Sequence, residues 1–265
     1  MTYVVKKKKG IFVLIVLCTM LVIGLLLGFV GAGGSGFIIA ILTEVFGIPI
    51  HTALGTSLAA MVFTSLSGTL SHLRERNTMV KIGLATGLFG AVGAFFGSRL
   101  ASFIPESELK FFTAGMLILS AILLWIRVTA GFGKFATQKF AEKNRSSKSR
   151  FWMTAAGIGI ITGLLSGAFG IGSTPFIQIG LLVFFGLSIQ LSAGTTMLVI
   201  IPIALVGGIG YYSVGFLDLK LFAEVVIGTI IGSYIGAKFT TRLNPMILKI
   251  AMVAVPLIGG IILLI

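Results

Sequence analysis

Three long stretches without a charged side chain constrain this chain more than any other feature. No Asp, Glu, Lys or Arg occurs in residues 10–43, 45–73 or 151–217 of the 265-residue sequence. Since about 20 apolar residues span the hydrocarbon core of a bilayer, the third stretch has room for two spans, one short helix and their turns. A soluble core does not absorb this much apolar surface, and the sequence therefore predicts a protein that crosses a membrane several times.

The composition favours helices over a membrane β-barrel. The chain is 57% hydrophobic and 10% charged, whereas a soluble domain is about 25% charged. Its 36 glycines occur without the alternating polar period of barrel strands, and backbone groups in lipid must then be paired within each segment. The predicted fold class is an all-α polytopic membrane protein.

Charge and cysteine content bound the partners. The formal charge of +13 does not indicate nucleic acid binding, because the basic residues collect in connecting segments, as membrane topology requires. Cys18 is the single cysteine, so the chain forms no internal disulfide and no cysteine metal cluster. We expect no nucleic acid, metal or cofactor, and we expect the lipid bilayer as a partner. Whether the chain forms a homo-oligomer is left open.

An internal repeat divides the chain. At an offset of 139 residues, which brings Gly24 onto Gly163, nine glycines of the first half meet glycines of the second, and Thr56 meets Thr195. A shared glycine register rarely arises by chance, so we infer a duplication. The predicted organisation is a first transmembrane repeat over residues 1–127, a basic linker over 128–150 and a second transmembrane repeat over 151–265.

Each repeat contains four to five helical segments, one of which is short. Apolar runs bounded by glycine, proline and polar residues predict helices at 11–30, 37–46, 52–73, 79–100 and 107–127, and at 152–168, 175–185, 190–214, 219–241 and 245–265. The second segment of each repeat reaches only about half of a 30 Å core. It is predicted to be a broken or re-entrant helix.

Basic residues predict the topology. If the first two segments of each repeat make one crossing, the chain crosses eight times, and the N-terminus and the linker share the side that holds 15 of the 20 Lys and Arg residues. If each repeat crosses an odd number of times, the repeats are inverted and the best split is 13 to 7. The positive-inside rule favours the eight-crossing topology with the N-terminus and linker cytoplasmic, although inverted repeats are common in transporters.

Glycine-rich breaks before the short helices are the first candidate site. Residues 31–36 read GAGGSG and residues 167–175 read GAFGIGSTP. The start of a helix presents unpaired N–H groups and a positive dipole end, which together bind anions. The predicted substrate-binding residues here are Gly33, Gly34, Ser35, Gly172, Ser173 and Thr174. The alternative is close helix packing through small residues.

A second pair of motifs follows the short helices. Residues 51–57 read HTALGTS and residues 190–196 read QLSAGTT, so each places two hydroxyls after a glycine near the start of a long helix. Hydroxyls and freed backbone groups there are able to bind the oxygens of an anion, and the alternative is back-bonding to their own helix. The candidate residues are His51, Gly55, Thr56, Ser57, Gln190, Gly194, Thr195 and Thr196.

These motifs resemble the TauE/SafE family of sulfite-exporter membrane permeases. The resemblance covers nearly the whole chain apart from the linker and extreme N-terminus, and rests on the glycine cluster at 31–36, on HTALGTSL at 51–58, and on Ser67-Gly68 with His72, Arg74 and Asn77. Ser35 and Ser173 depart from the family pattern, because Ser35 extends the usual glycine triplet and Ser173 replaces a glycine. The resemblance implies export or uptake of sulfite, sulfonates or related sulfur compounds.

The predicted function is secondary transport of a small sulfur-containing anion through the bacterial or archaeal cytoplasmic membrane. Acids within apolar segments are costly and often functional, so Glu44 and Glu224 are candidates to carry a coupling proton. Uniport without a coupling ion is equally open. The alternatives are an anion channel and a non-transporting membrane scaffold. An enzyme is not expected, because no paired nucleophile and base is present.

Overall fold

The computed structural model of the chain describes residues 13–26, 35–130, 148–171, 173–240 and 245–265. Every regular element in these ranges is a helix, which confirms the predicted all-α class. Most of the predicted linker, residues 131–147, lies outside the described residues.

Five helices form the first half. They are α1 (Val13–Leu26), α2 (Ser35–Val45), α3 (Ile50–Arg74), α4 (Val80–Ala101) and α5 (Glu106–Ala130). The short α2 is α-helical over Ser35–Ala40 and continues as a π-helix over Ile41–Val45. The prediction of a helix at 37–46 was therefore correct in kind and began two residues late, which places Ser35 inside the helix.

The second half repeats this order. Its helices are α6 (Lys148–Phe169), α7 (Thr174–Phe185), α8 (Ile189–Ser213), α9 (Leu219–Thr240) and α10 (Pro245–Leu264). All ten predicted helices are present, with ends that differ by a few residues. Because α6 begins at Lys148, the last three residues of the predicted linker are helical.

The long helices are able to cross a membrane. Among the described residues, α3, α4, α5, α6 and α8 are long and apolar enough to do so. The 12 residues of α7 reach only about 18 Å at 1.5 Å per residue, which is short of a 30 Å core. The protein is an integral membrane protein in which each half contains one half-length helix.

Glycines let neighbouring helices approach closely. A Cβ atom added at Gly163 would lie 2.0 Å from the oxygen of Gly90, so α6 and α4 touch backbone to backbone. A Cβ added at Gly24 would lie 2.6 Å from the oxygen of Thr229, where α1 meets α9. Positions 139 apart in the chain are called equivalent below. Gly24 is equivalent to Gly163 and Gly90 to Thr229, so the same contact occurs twice in the molecule.

Equivalent helices α3 and α8 run in opposite directions. Gly55 near the start of α3 packs against Phe216, which follows α8, whereas Gly68 in the second half of α3 packs against Met197 near the start of α8. Gly194 packs against Asn77, just beyond the end of α3. Later positions in α3 thus contact earlier positions in α8, so the two helices are antiparallel. The two halves are therefore inverted relative to one another.

The preferred eight-crossing topology is wrong. Helix α6 runs parallel to α4, because Gly159 packs on Thr86 and Gly167 on Ala94. Helix α1 runs parallel to α9, because Gly228 packs on Leu17 and Gly232 on Leu21 and Leu25. We call the end of the molecule where α3 begins the His51 end, and the opposite end the Arg74 end. Helix α1 begins toward the His51 end and α6 at the Arg74 end.

The physical reason is the direction of the short helices. Helix α2 ends at the turn that starts α3, at the His51 end, so it runs back toward the end from which α1 came. The first two segments of a half therefore do not add up to one crossing. Residues 1–12 lie outside the described part, but the described starts of α1 and α6 already face opposite ends, contrary to the same-side prediction.

Candidate functional site

The break between α6 and α7 carries two buried hydroxyls. Ser173 caps α7 in the left-handed conformation, with φ 45° and ψ 25°, and its side chain makes no capping hydrogen bond. Thr174 is the first residue of α7. The two residues are 0% and 3% exposed, and neither Oγ of Ser173 nor Oγ1 of Thr174 has a hydrogen-bond partner among the described residues.

The start of α7 also leaves main-chain donors without a helical partner. The first bond of this helix runs from the N–H of Ile177 to the oxygen of Ser173 at 3.0 Å. The N–H groups of Thr174 and Phe176 precede it, and Pro175 has none. Such donors, together with the positive end of the helix dipole, make a helix start attractive to an anion.

The first half places further hydroxyls at the start of α2. Ser57 donates from Oγ to the carbonyl oxygen of Ser35 at 2.9 Å, which ties α3 to the first residue of α2. Ser35 is 2% exposed and Thr56 is fully buried. Within the described ranges, the hydroxyls of Ser35 and Thr56 have no hydrogen-bond partner. Burial of an unpaired hydroxyl costs about 1–3 kcal/mol in mutational data.

Contacts join this segment to the α6–α7 break. A Cβ atom added at Gly170 would lie 2.8 Å from the Leu54 side chain and 3.0 Å from its Cα. Leu54 lies two residues before Thr56, and Gly170 lies three residues before Ser173. Gly170 itself has φ 63°, a conformation that a larger residue adopts at a cost. Glycine at this position therefore serves both the turn and the close approach of α3.

The equivalent residues of the second half have structural partners. Thr195 accepts a hydrogen bond at Oγ1 from the N–H of Met79, at 3.0 Å, and Thr196 donates to the carbonyl oxygen of Ser192 at 2.7 Å. Gly194 packs against the turn between α3 and α4, where an added Cβ would lie 2.1 Å from the oxygen of Asn77. For Thr196 the back-bonding alternative is what the structure shows.

Helix capping also differs between the equivalent starts of α4 and α9. Met79 precedes α4 and offers no side-chain cap, so the hydroxyl of Thr195 binds its N–H. The equivalent position before α9 is Asp218, whose Oδ1 accepts from the N–H groups of Lys220 and Leu221 at 2.8 and 3.1 Å. The start of α9 is thus capped by its own aspartate, whereas Met79 at the start of α4 receives its hydrogen bond from the other half.

Other predicted site residues lie elsewhere. His51 Nε2 is 3.0 Å from the oxygen of Ala101 and 3.2 Å from that of Ile104, its ring stacks on Phe216, and Nδ1 is 3.6 Å from a carboxylate oxygen of Glu106. This histidine therefore joins three turns at the His51 end. Gln190 is exposed at the start of α8. Gly33, Gly34 and Gly172 lie outside the described residues.

Two residues at the break were missed from the sequence. Tyr211 is fully buried and donates from its hydroxyl to the carbonyl oxygen of Gly167 at 2.8 Å, which satisfies an acceptor freed where α6 ends. Ser166 is also fully buried, and its Oγ has no hydrogen-bond partner in the described ranges. A single serine between the glycines at 163 and 167 was the available signal for Ser166, whereas nothing in the sequence marks Tyr211.

The two acidic candidates differ in environment. Glu44, at the end of α2, forms an ion pair with Lys110 at 2.9 Å, and both side chains are about a quarter to a third exposed. Glu224, in the second turn of α9, is 8% exposed. The ion pairs of the described residues are Lys110–Glu44 and His51–Glu106, and neither includes Glu224.

Neutral donors dominate the buried polar groups. The buried polar and charged residues of the described ranges include hydroxyls, Gln178, His51 and Glu224, and no Lys or Arg. An anion in this interior would be held by hydroxyls, main-chain N–H groups and a helix dipole rather than by a buried cation. Such an arrangement binds an anion without leaving an unpaired positive charge when the site is empty.

Comparison with known proteins gives the family. The family profile described as sulfite exporter TauE/SafE matches residues 16–263. The chain is 54% identical over 251 residues to the probable membrane transporter protein YdhB of Bacillus subtilis, covering 95% of this chain and 100% of that protein. It is 28% identical over 224 residues to a probable membrane transporter protein of Xylella fastidiosa, covering 84% and 82% of the two chains.

A probable membrane transporter protein of the archaeon Methanocaldococcus jannaschii is 27% identical over 261 residues, with 90% of this chain and 92% of that protein covered. No solved structure matches the chain at a significant level. The family profile covers nearly the full length of the chain, and each of these relatives is matched over at least 82% of its own length. The chain belongs to the TauE/SafE sulfite-exporter family of membrane transporters.

Proposed function

We propose that the protein is a secondary transporter of a small sulfur-containing oxyanion such as sulfite or an organosulfonate. The anion binds at the α6–α7 break, where Ser173 and Thr174 and the first N–H groups of α7 face it. Ser35 and Thr56 supply hydroxyls from the inverted half. Transport then follows from exposing this interior site to one side and then to the other, as inverted repeats permit.

The observation that carries the proposal is the set of buried hydroxyls without partners. Four hydroxyl residues at the breaks are at most 3% exposed. Their hydroxyl groups have no hydrogen-bond partner among the described residues; they are Ser35, Thr56, Ser173 and Thr174. An oxyanion offers several acceptor lone pairs, so its binding converts this cost into hydrogen bonds. In the described ranges, unpaired buried hydroxyls also occur inside helices, at Thr69, Thr86 and Thr113. What distinguishes the α6–α7 break is that its two hydroxyls lie beside the free N–H groups at the start of α7.

The orientation in the membrane follows from the basic residues. With inverted halves, the chain order assigns 13 of the 20 Lys and Arg residues to the Arg74 end or to segments outside the described residues that adjoin it, namely Arg74, Arg76, Lys81, Arg127, Lys134, Lys139, Lys143, Arg145, Lys148, Arg150, Lys238, Arg242 and Lys249. The positive-inside rule therefore favours a cytoplasmic Arg74 end and linker, with the N-terminus outside. The membrane we propose is the cytoplasmic membrane of a bacterium or archaeon.

We further propose that transport is coupled to protons. The surroundings of the two acids favour Glu224 over Glu44 as the residue that carries the proton. Glu44 is balanced by Lys110 near the His51 end, so its charge is already compensated. Glu224 is buried within a helix equivalent to the membrane-spanning α4, and it has no ion-pair partner in the part of the chain that the structure describes. A buried acid in such a position is costly and often functional.

A binding panel tests the proposed site. Purified protein is heated with sulfite, sulfate, thiosulfate, an alkyl sulfonate or a carboxylate, and binding to the folded state raises the melting temperature. We expect stabilisation by sulfite or a sulfonate, and loss of that stabilisation in Thr174→Val. The absence of a shift with every sulfur oxyanion, or an unchanged shift in Thr174→Val, would contradict the site.

Flux measurements separate the transporter from its rivals. In proteoliposomes a transporter saturates with substrate and shows counterflow, which is uptake of labelled substrate driven by unlabelled substrate inside. Large unitary currents would instead indicate an anion channel. Binding without flux would indicate a scaffold.

A further inference from the structure

An apolar groove opens on the outer surface of the second half, between α6 and α7. It has a volume of about 460 Å³, and its lining includes Met153, Gly157, Ile161 and Leu165 from α6 together with Phe176 and Phe184 from α7. Met153 and Ile161 are 70% and 63% exposed. Since α6 is apolar enough to span the membrane, the groove faces the hydrocarbon of the bilayer.

The groove offers almost no polar contact. Thr162 also lines it, but its hydroxyl donates to the carbonyl oxygen of Ile158 at 2.7 Å and is therefore already paired. The α6 residues that line the groove follow helical spacing over three turns, so the groove is elongated along the helix axis. Its shape and chemistry suit a hydrocarbon chain that lies along α6.

Basic side chains lie at one end of the groove. Arg150 precedes Met153, Thr154 and Gly157 by three, four and seven residues, so it shares their face of α6. Arg150 and Lys148 are exposed. Lys81, at the parallel start of α4, is also exposed, and its Nζ lies 5.2 Å from the centre of the Phe151 ring. Three cations thus lie at the Arg74 end, at the level expected for lipid headgroups.

We infer that this groove is a binding site for an anionic phospholipid, with one acyl chain between α6 and α7 and the phosphate at Lys148 and Arg150. The combination of an apolar groove with a basic end favours an anionic phospholipid, because a neutral lipid would gain the tail contacts but not the charge contacts. Each basic residue near a membrane surface contributes about 1 kcal/mol toward anionic lipid, or roughly fivefold in affinity.

The inference does not depend on which anion is transported. It does bear on transport, because the lipid would pack along α7, whose first residue is Thr174 at the proposed anion site. An acyl chain in the groove would hold α7 against α6 and so help to fix the break.

Native mass spectrometry tests the headgroup contact. The full chain is released from nanodiscs that contain equal amounts of phosphatidylglycerol and phosphatidylcholine, and the retained lipids are counted. We expect wild-type protein to retain phosphatidylglycerol preferentially and Arg150→Gln to lower that preference about fivefold. Arg99→Gln is the matched control, since Arg99 is an exposed cation at the His51 end, and it should leave the preference unchanged.

A second pair of variants tests the tail contact. A Cβ atom at Gly157 or at Gly115 meets nothing within 4 Å, so leucine fits at both without a clash at Cβ and with the same gain in helix propensity. Gly157→Leu fills the groove and should reduce retention of both lipids, whereas Gly115→Leu should not. Equal retention of the two lipids by wild-type protein, or unchanged retention in Gly157→Leu, would overturn the inference. So would a dimer that Gly157→Leu separates, because the groove would then be a protein interface.

Discussion

The hydroxyl of Thr195 accepts a hydrogen bond from the N–H of Met79 at 3.0 Å, across 116 residues of sequence. This bond joins the second half to the start of α4 in the first. Thr56, the equivalent residue, has no partner for its hydroxyl among the described residues. Two threonines that share a motif therefore have different surroundings, and we propose that Thr56 contacts the anion while Thr195 has a structural role.

Valine substitutions separate the two roles. Thr195→Val leaves the Met79 N–H without its acceptor, so we expect a loss of about 1–2 kcal/mol in the free energy of unfolding and nearly unchanged substrate affinity. Thr56→Val removes a hydroxyl that is already unpaired, so stability should stay the same or rise. Its substrate affinity should fall about 5-fold to 150-fold. Melting curves and binding isotherms on both variants check this, and equal behaviour of the two would contradict the asymmetry.

Ser173→Gly makes a complementary test at the other break. Glycine adopts φ 45° without the cost of about 1–2 kcal/mol that a side chain incurs there, but it also adds freedom to the unfolded chain. We expect stability within about 1 kcal/mol of wild type and a clear loss of anion affinity, because the hydroxyl is gone. A variant with wild-type affinity would show that Ser173 does not contact the anion.

Close approach of α4 and α6 predicts a stability effect far from any ligand. Alanine at Gly163 would place its Cβ 2.0 Å from the Gly90 oxygen, so the two backbones must separate, and overpacking of this kind costs about 1–3 kcal/mol. Gly157→Ala, in the same helix, meets open space and should be neutral or stabilising. The melting temperatures of the pair provide the measurement, and similar values would mean that α4 and α6 do not pack as described.

The sequence was informative about helices and less so about their directions. Uninterrupted apolar runs and glycine breaks marked all ten helices, because length and hydrophobicity decide whether a segment spans a bilayer. The direction of α2 depends on tertiary contacts such as Ser57 to Ser35, which no local pattern reveals. Counting basic residues then selected a topology that assumed α1 and α2 to form one crossing.

The candidate site shows the same division. Hydroxyls after glycine were recognisable at 56, 57, 195 and 196, but their partners were not. Thr195 accepts from the N–H of Met79, whereas the hydroxyl of Thr56 has no such partner among the described residues. Met79 precedes Thr195 by 116 residues, and only folding brings the two residues into contact.

Cysteine labelling in intact cells tests the inverted topology. Arg74 and Ser213 are equivalent positions, both exposed at the ends of α3 and α8. In a chain that carries Cys18→Ala, single cysteines at these two sites should react with a membrane-impermeant reagent from opposite sides. We expect Ser213→Cys to be labelled from outside and Arg74→Cys only after the membrane is opened. Labelling of both from one side would restore parallel halves.

The last prediction concerns coupling at Glu224. If this buried carboxyl carries the proton, Glu224→Gln removes the titrating group while keeping the side-chain shape, so uphill accumulation driven by a pH gradient should be lost. Counterflow exchange of substrate should continue, because exchange needs no net proton movement. Glu44→Gln is the matched control: it removes the charge that pairs with Lys110 at 2.9 Å and should retain gradient-driven uptake. The measurement is uptake of labelled substrate into proteoliposomes with and without an imposed pH gradient, after equal reconstitution of each variant. Full gradient-driven accumulation by Glu224→Gln would exclude this residue, and its loss in Glu44→Gln alone would move the proton to the Glu44–Lys110 pair.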